Sequence, residues 1–184
     1  MKMIKLQAAV AAALLAGAGF AMAAADMMPK AEYKSAKEQI EATKKAAMDS
    51  CKPLTGNTKD VCHEQAKADA SIAKAELDSK NKGTREAAYD ARVAHAKGNY
   101  NVAKEKCDDL AGNKKDVCVK EAKAVETRAL ADAKADKKVV QARVDARDDK
   151  VDAEYKVAKE KCDAFAGDAK DRCMTDAKAR FGKS

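Results

Sequence analysis

The chain has 184 residues, 36% of them charged and 4% aromatic with no tryptophan, which excludes a thick aromatic core and favours long alanine-rich helices. Its formal charge of +7 comes from 37 basic and 30 acidic residues that are closely interleaved. Runs such as Lys114-Lys115-Asp116 stay short, so the concentrated basic stripe of a protein dedicated to nucleic acid does not form, although contact with polyanions stays open.

At the start, Lys2 and Lys5 precede an apolar run from Leu6 to Ala25 that ends in small residues. This pattern reads as a secretory signal peptide over residues 1–25, cut before Asp26. The run is short and rich in Ala and Gly for a spanning helix. No cysteine follows Leu15-Ala16-Gly17, as a bacterial lipoprotein anchor would need, and no second apolar run of spanning length occurs. Loss of Lys2 and Lys5 takes the formal charge from +7 to +5. The expectation is one helical repeat domain over residues 26–184, without a transmembrane segment after cleavage, in an oxidising compartment, most simply a bacterial periplasm.

All six cysteines fall in three copies of one Cys-x10-Cys unit: Cys51 to Cys62, Cys107 to Cys118 and Cys162 to Cys173. In each unit a glycine, Gly56, Gly112 or Gly167, stands where the chain can turn through a left-handed residue. The residue after it, Asn57, Asn113 or Asp168, suits a helix N-cap, and Asp60, Asp116 or Asp171 follows three positions later, facing the positive helix end. One cysteine lies five residues before the glycine and the other six after it, so in an antiparallel hairpin the two stand at nearly equal height. Helix axes about 8–10 Å apart leave facing Cα atoms roughly 3.5–5.5 Å apart, within disulfide reach. Six cysteines allow 15 pairings, and position favours the local bridges Cys51–Cys62, Cys107–Cys118 and Cys162–Cys173. The alternatives are metal thiolates or a redox-active pair, but the units lack the close Cys-x2-Cys knuckle of zinc and thioredoxin-like sites.

The duplication extends beyond the cysteines with a period of 55 to 56 residues: Tyr100-Asn-Val-Ala-Lys-Glu-Lys-Cys107 matches Tyr155-Lys-Val-Ala-Lys-Glu-Lys-Cys162. Repeat units cover about residues 33–82, 89–138 and 144–184, the first being the most diverged, with Lys44 at the second tyrosine and Pro53 in its turn. Apolar or small residues recur in steps of three and four. Tyr89, Val93, Ala96, Tyr100, Ala103 and Cys107 form such a seam; Val140, Val144, Val151, Tyr155, Ala158 and Cys162 form the next, and Tyr33, Ala36, Ile40, Ala47 and Cys51 the first. The expected fold is all-α, built of long antiparallel hairpins of coiled-coil, alanine-rich character. Four helices, about residues 30–52, 57–111, 113–166 and 168–181, are predicted. The two long ones would pair as a rod with a break or kink near Gly83, the short ones packing at the end away from Gly112; a compact bundle of three shorter hairpins is the other arrangement.

No nucleophile motif, glycine-rich phosphate loop or metalloprotease helix is present in the sequence, so an enzyme is not expected, nor any catalytic residue, metal or cofactor. His63 and His95 read as surface histidines. Met27, Met28, Met48 and Met174 offer thioethers to a soft metal such as copper, but fit terminal or core positions better. The texture of Lys120-Glu-Ala-Lys-Ala124 and Ala131-Asp-Ala-Lys-Ala135 resembles the central helical region of TolA-like cell-envelope proteins, and the mature chain is similar to small exported Ala/Lys-rich proteins of Gram-negative bacteria with no established activity. The resemblance implies an envelope location and a scaffolding or protein-contact role, with envelope proteins or the chain itself as partners. It carries no functional residue with it. Soft-metal (copper or zinc) or redox handling by the cysteine pairs, and binding of polyanions such as lipopolysaccharide or nucleic acid, are the alternatives.

Overall fold

The computed structural model describes residues 28–183. The signal peptide expected over residues 1–25 lies outside the described residues. Five α-helices follow one another, α1 Lys30–Ser50, α2 Gly56–Lys82, α3 Arg85–Lys106, α4 Gly112–Cys162 and α5 Gly167–Phe181, with a 3₁₀ turn at Cys107–Asp109. Among the described residues there is no strand. Each helix packs on the next, α1 on α2, α2 on α3, α3 on α4 and α4 on α5, so the fold is the expected all-α series of antiparallel hairpins. α4 has 51 residues, about 76 Å at 1.5 Å per residue, whereas α3 has 22, about 33 Å. α3 therefore covers only the N-terminal half of α4, and α5 returns along its C-terminal end.

The four-helix arrangement needs two corrections. The stretch expected as one long helix over 57–111 is broken at Gly83, the expected place of a break or kink, and the chain reverses there instead of continuing the rod. Gly83 adopts φ +59° and caps α2, its N–H bonding to Ser79 O at 2.9 Å, and Thr84 caps α3 by accepting from the Ala87 N–H at 3.2 Å. A left-handed glycine followed by an N-cap threonine is a stop signal next to a start signal, and together they outweigh the helical texture on either side. The reversal lays α3 along α2. Gly98 lies inside α3 and lets the two approach closely, since a Cβ there would meet Ile72 Cδ1 at 3.1 Å and Ala68 Cβ at 3.2 Å.

The second correction concerns α1. It does not pack on the end of a rod away from Gly112, but runs along α2 with its Cys51 end beside the turn that precedes α4. Asn57 Nδ2 joins these two turns by donating to Glu105 O at 3.0 Å. α5 does lie at the end of α4 away from Gly112, where the rings of Tyr155 and Phe181 stand 6.0 Å apart.

The core is thin. Its buried apolar members among the described residues are eight alanines, three cysteines, Leu77 and Val102. Alanine removes little apolar area from water, so at about 25 cal/mol per Å² such a seam stabilises less than a leucine seam would. Cys51, Cys107 and Cys162 are the largest fully buried side chains, so the deepest points of the packing are the first cysteines of the three units.

Candidate functional site

The three stapled turns are the recurring local structure. Cys51–Cys62, Cys107–Cys118 and Cys162–Cys173 are disulfides with Cα atoms 5.7, 5.7 and 5.6 Å apart, and no free cysteine remains among the described residues. The local backbone repeats as well: the N–H groups of Leu54, Leu110 and Phe165 bond the carbonyls of Cys51, Cys107 and Cys162 at 3.1, 3.0 and 3.0 Å. Each turn ends at a left-handed glycine, Gly56 (φ +57°), Gly112 (φ +55°) and Gly167 (φ +53°).

These glycines do not close the preceding helix; they open the following one. The N-cap positions are accordingly Thr55, Ala111 and Ala166, none with a side-chain cap bond, and Asn57, Asn113 and Asp168 fall inside the first turn as second residues. The N-cap assignment of Asn57, Asn113 and Asp168 is thus corrected, because the extended residue before each glycine already supplies the non-helical φ/ψ of a cap. Asn57 is left to reach across to Glu105.

Two staples carry an ion pair that sequence reading missed. Lys115 pairs with Asp108 at 3.0 Å, and Lys170 with Asp163 at 2.7 Å. The signal was an aspartate directly after the first cysteine and a lysine three before the second, a pairing that spans the loop only once the hairpin closes. Lys170 holds the Asp163 carboxyl below its usual range by hydrogen bond and charge, and Asp163 raises Lys170 in return. The first unit has Lys52 after its cysteine, and that lysine turns back to Asp49 at 2.7 Å.

Between the staples, ion pairs tie neighbouring helices: Glu41 with Lys74, Glu86 with Lys137, Arg92 with Asp136 and Asp152 with Lys183. Lys74 lowers Glu41 and Lys183 lowers Asp152, in each case chiefly by hydrogen bonding the carboxylate. Tyr33 donates to Asp78, which raises the phenol above its ordinary value. All four tyrosines sit beneath a lysine, Lys37 over Tyr33, Lys137 over Tyr89, Lys123 over Tyr100 and Lys159 over Tyr155, at 4.7–5.9 Å from the ring centres. They line helix seams and serve packing.

The other candidate residues are not brought together. His95 Nε2 meets Glu76 at 2.8 Å between α3 and α2, while His63 stands on α2 near its start. Met48 is on α1, Met174 on α5 and Met28 at the rim of the α1–α2 groove; Met27 lies outside the described residues. That groove, about 530 Å³, has apolar walls from Ala36, Ile40, Ala70 and Leu77. Among the described residues no three His, Cys, Asp or Glu side chains converge as a metal site, and no helix is long and apolar enough to cross a membrane. No family model, curated protein or solved structure matches this chain.

Proposed function

We propose that the chain is a non-enzymatic, exported protein of the cell envelope that works by contact and spacing, meeting envelope proteins or further copies of itself through its helical faces. The observation that carries this reading is the combination of a thin core, stapled at three turns, with a 51-residue helix that runs on well past the end of the helix packed along its N-terminal half. Such a frame holds surfaces at set distances and has little interior in which to build chemistry. Disulfides form and persist in oxidising compartments, which supports a periplasmic location. Val117, Val125, Val139, Val140 and Val157 are exposed along α4, apolar points among its charged residues and alanines.

The test is mass spectrometry of protein taken from the periplasmic fraction, alkylated without reduction and digested. The three local bridges and a mature N-terminus at Asp26 are the expected result. Free or metal-protected thiols would sink the reading and favour soft-metal or redox handling by the cysteines.

A further inference from the structure

The internal repeat shows which face of α4 is left open. In the first two units α2 and α3 pack as a hairpin, with Gly98 of α3 against Ala68 and Ile72 of α2. Ala87, Ala91, Gly98 and Val102, spaced to share one face of α3, are buried there. One period later the same positions are Ala142, Ala146, Ala153 and Val157 on the C-terminal half of α4, and all four are exposed. The counterpart of Ala68 on the N-terminal half, Ala124, is exposed too, although Ala68 itself is only 5% accessible.

The cause lies at one dipeptide. Gly83-Thr84 reverses the chain between α2 and α3, whereas the equivalent residues Lys138-Val139 can neither adopt a left-handed cap nor cap a new helix, so α4 runs straight on. The two faces that would close on each other in a hairpin are left on a single straight helix, where they cannot meet.

We infer that these faces close between two copies of the chain, as an antiparallel α4–α4 pair that follows the α2–α3 register across a two-fold axis, its helix axes set slightly wider because Ala153 brings against Ala124 the Cβ that Gly98 lacks. Transferred to α4, the register of Ala68 against Gly98 is symmetric about Lys138-Val139, where Val139 and Val140 are 48% and 44% exposed. The charges suit it. The Glu76–His95 pair becomes Asp132 against Lys150 of the partner copy, and Ile72, which packs against Gly98, becomes Arg128 beside Ala153. Asn57, which bonds Glu105 O, has the counterpart Asn113, placed to meet the backbone of Glu160. Among the described residues, Asp132 and Lys150 make no ion pair within the chain. Exchange of an intramolecular helix contact for the same contact between copies is a low-cost route to a symmetric dimer.

This inference rests on the contact reading and names one partner for it. Sedimentation equilibrium of the oxidised mature chain should give twice the single-chain mass at submillimolar concentration. Lys150→Asp and Asp132→Lys should each weaken association about tenfold, because two symmetric exposed pairs are lost and replaced by repulsion, and the two changes combined should restore it to within about threefold. Lys138→Gly with Val139→Thr should close the hairpin within one chain and give a monomer with unchanged helicity and bridges. A wild-type monomer, or a combined variant no tighter than the single ones, overturns the pairing. Either result leaves contact with other envelope proteins standing, since that reading fails on the thiol state instead.

Discussion

Glu126 is the one charged side chain buried among the described residues, at 6% accessibility, and it accepts from Lys123 Nζ at 2.6 Å. Lys123 also lies 4.9 Å from the centre of the Tyr100 ring, and Glu126 raises its pKa. In the first repeat the same place is held by Ala70, buried at 7%. The carboxylate therefore occupies a small-residue site and depends on its lysine. Lys123→Met, which leaves a buried carboxylate without its partner, should cost about 1–3 kcal/mol in urea unfolding. Glu126→Ala removes the burden together with the charge and should be neutral or mildly stabilising. An unchanged midpoint for Lys123→Met would show that solvent reaches Glu126 well enough to replace the lysine.

At the level of the helix, the α2–α3 reversal depends on two adjacent residues. Thr84→Ala removes the cap on the Ala87 N–H and should destabilise by about 1 kcal/mol. Gly83→Ala, at φ +59°, places a Cβ in the left-handed region and should cost a further 1–2 kcal/mol, roughly. Gly83→Lys combined with Thr84→Val copies the sequence found inside α4 and removes both stop and start. Small-angle scattering should then report a longer particle as α2 and α3 merge; an unchanged radius of gyration would mean that the packing of Gly98 on Ala68 and Ile72 holds the hairpin without its turn.

Across the whole molecule the thin seam makes the covalent staples count. A closed loop of about 12 residues contributes nearly 3 kcal/mol by chain entropy, and three such loops are comparable to the roughly 5–15 kcal/mol net stability of a domain. Excess reductant should therefore lower the melting temperature and the helicity, and a melt insensitive to reductant would refute this account. Acid acts through the helix-to-helix ion pairs. Glu41, Asp152 and Asp163 have folded pKa values below the ordinary ones, so their contribution is fully present above about pH 5, at neutral pH included. It is lost as the pH falls through the lowered folded values. Stability should stay level from neutral pH down to about 5 and then decline, less steeply at high salt because these groups are exposed. A decline that already sets in near pH 6 would overturn this account of the acid dependence.

Much of this architecture was legible in the residues themselves. Alanine-rich seams in steps of three and four specify helices, and a cysteine on each side of a glycine turn brings the two thiols to one height, so the class of fold and the three bridges follow from short-range geometry alone. Helix boundaries were less legible: Asn57, Asn113 and Asp168 have good capping side chains, yet the extended residues Thr55, Ala111 and Ala166 had already taken the cap positions. The ion pairs Asp108–Lys115 and Asp163–Lys170 needed the closed loop to become visible. Only the tertiary structure decided whether Gly83 bends the chain or turns it back. The dipeptide Gly83-Thr84 lets the chain stop and restart there, and the reversed course is the one in which Gly98 lets α2 and α3 approach, a contact between residues 26 and 30 positions apart that no local pattern encodes. The same contact, absent from the uninterrupted α4, is what leaves its two faces open.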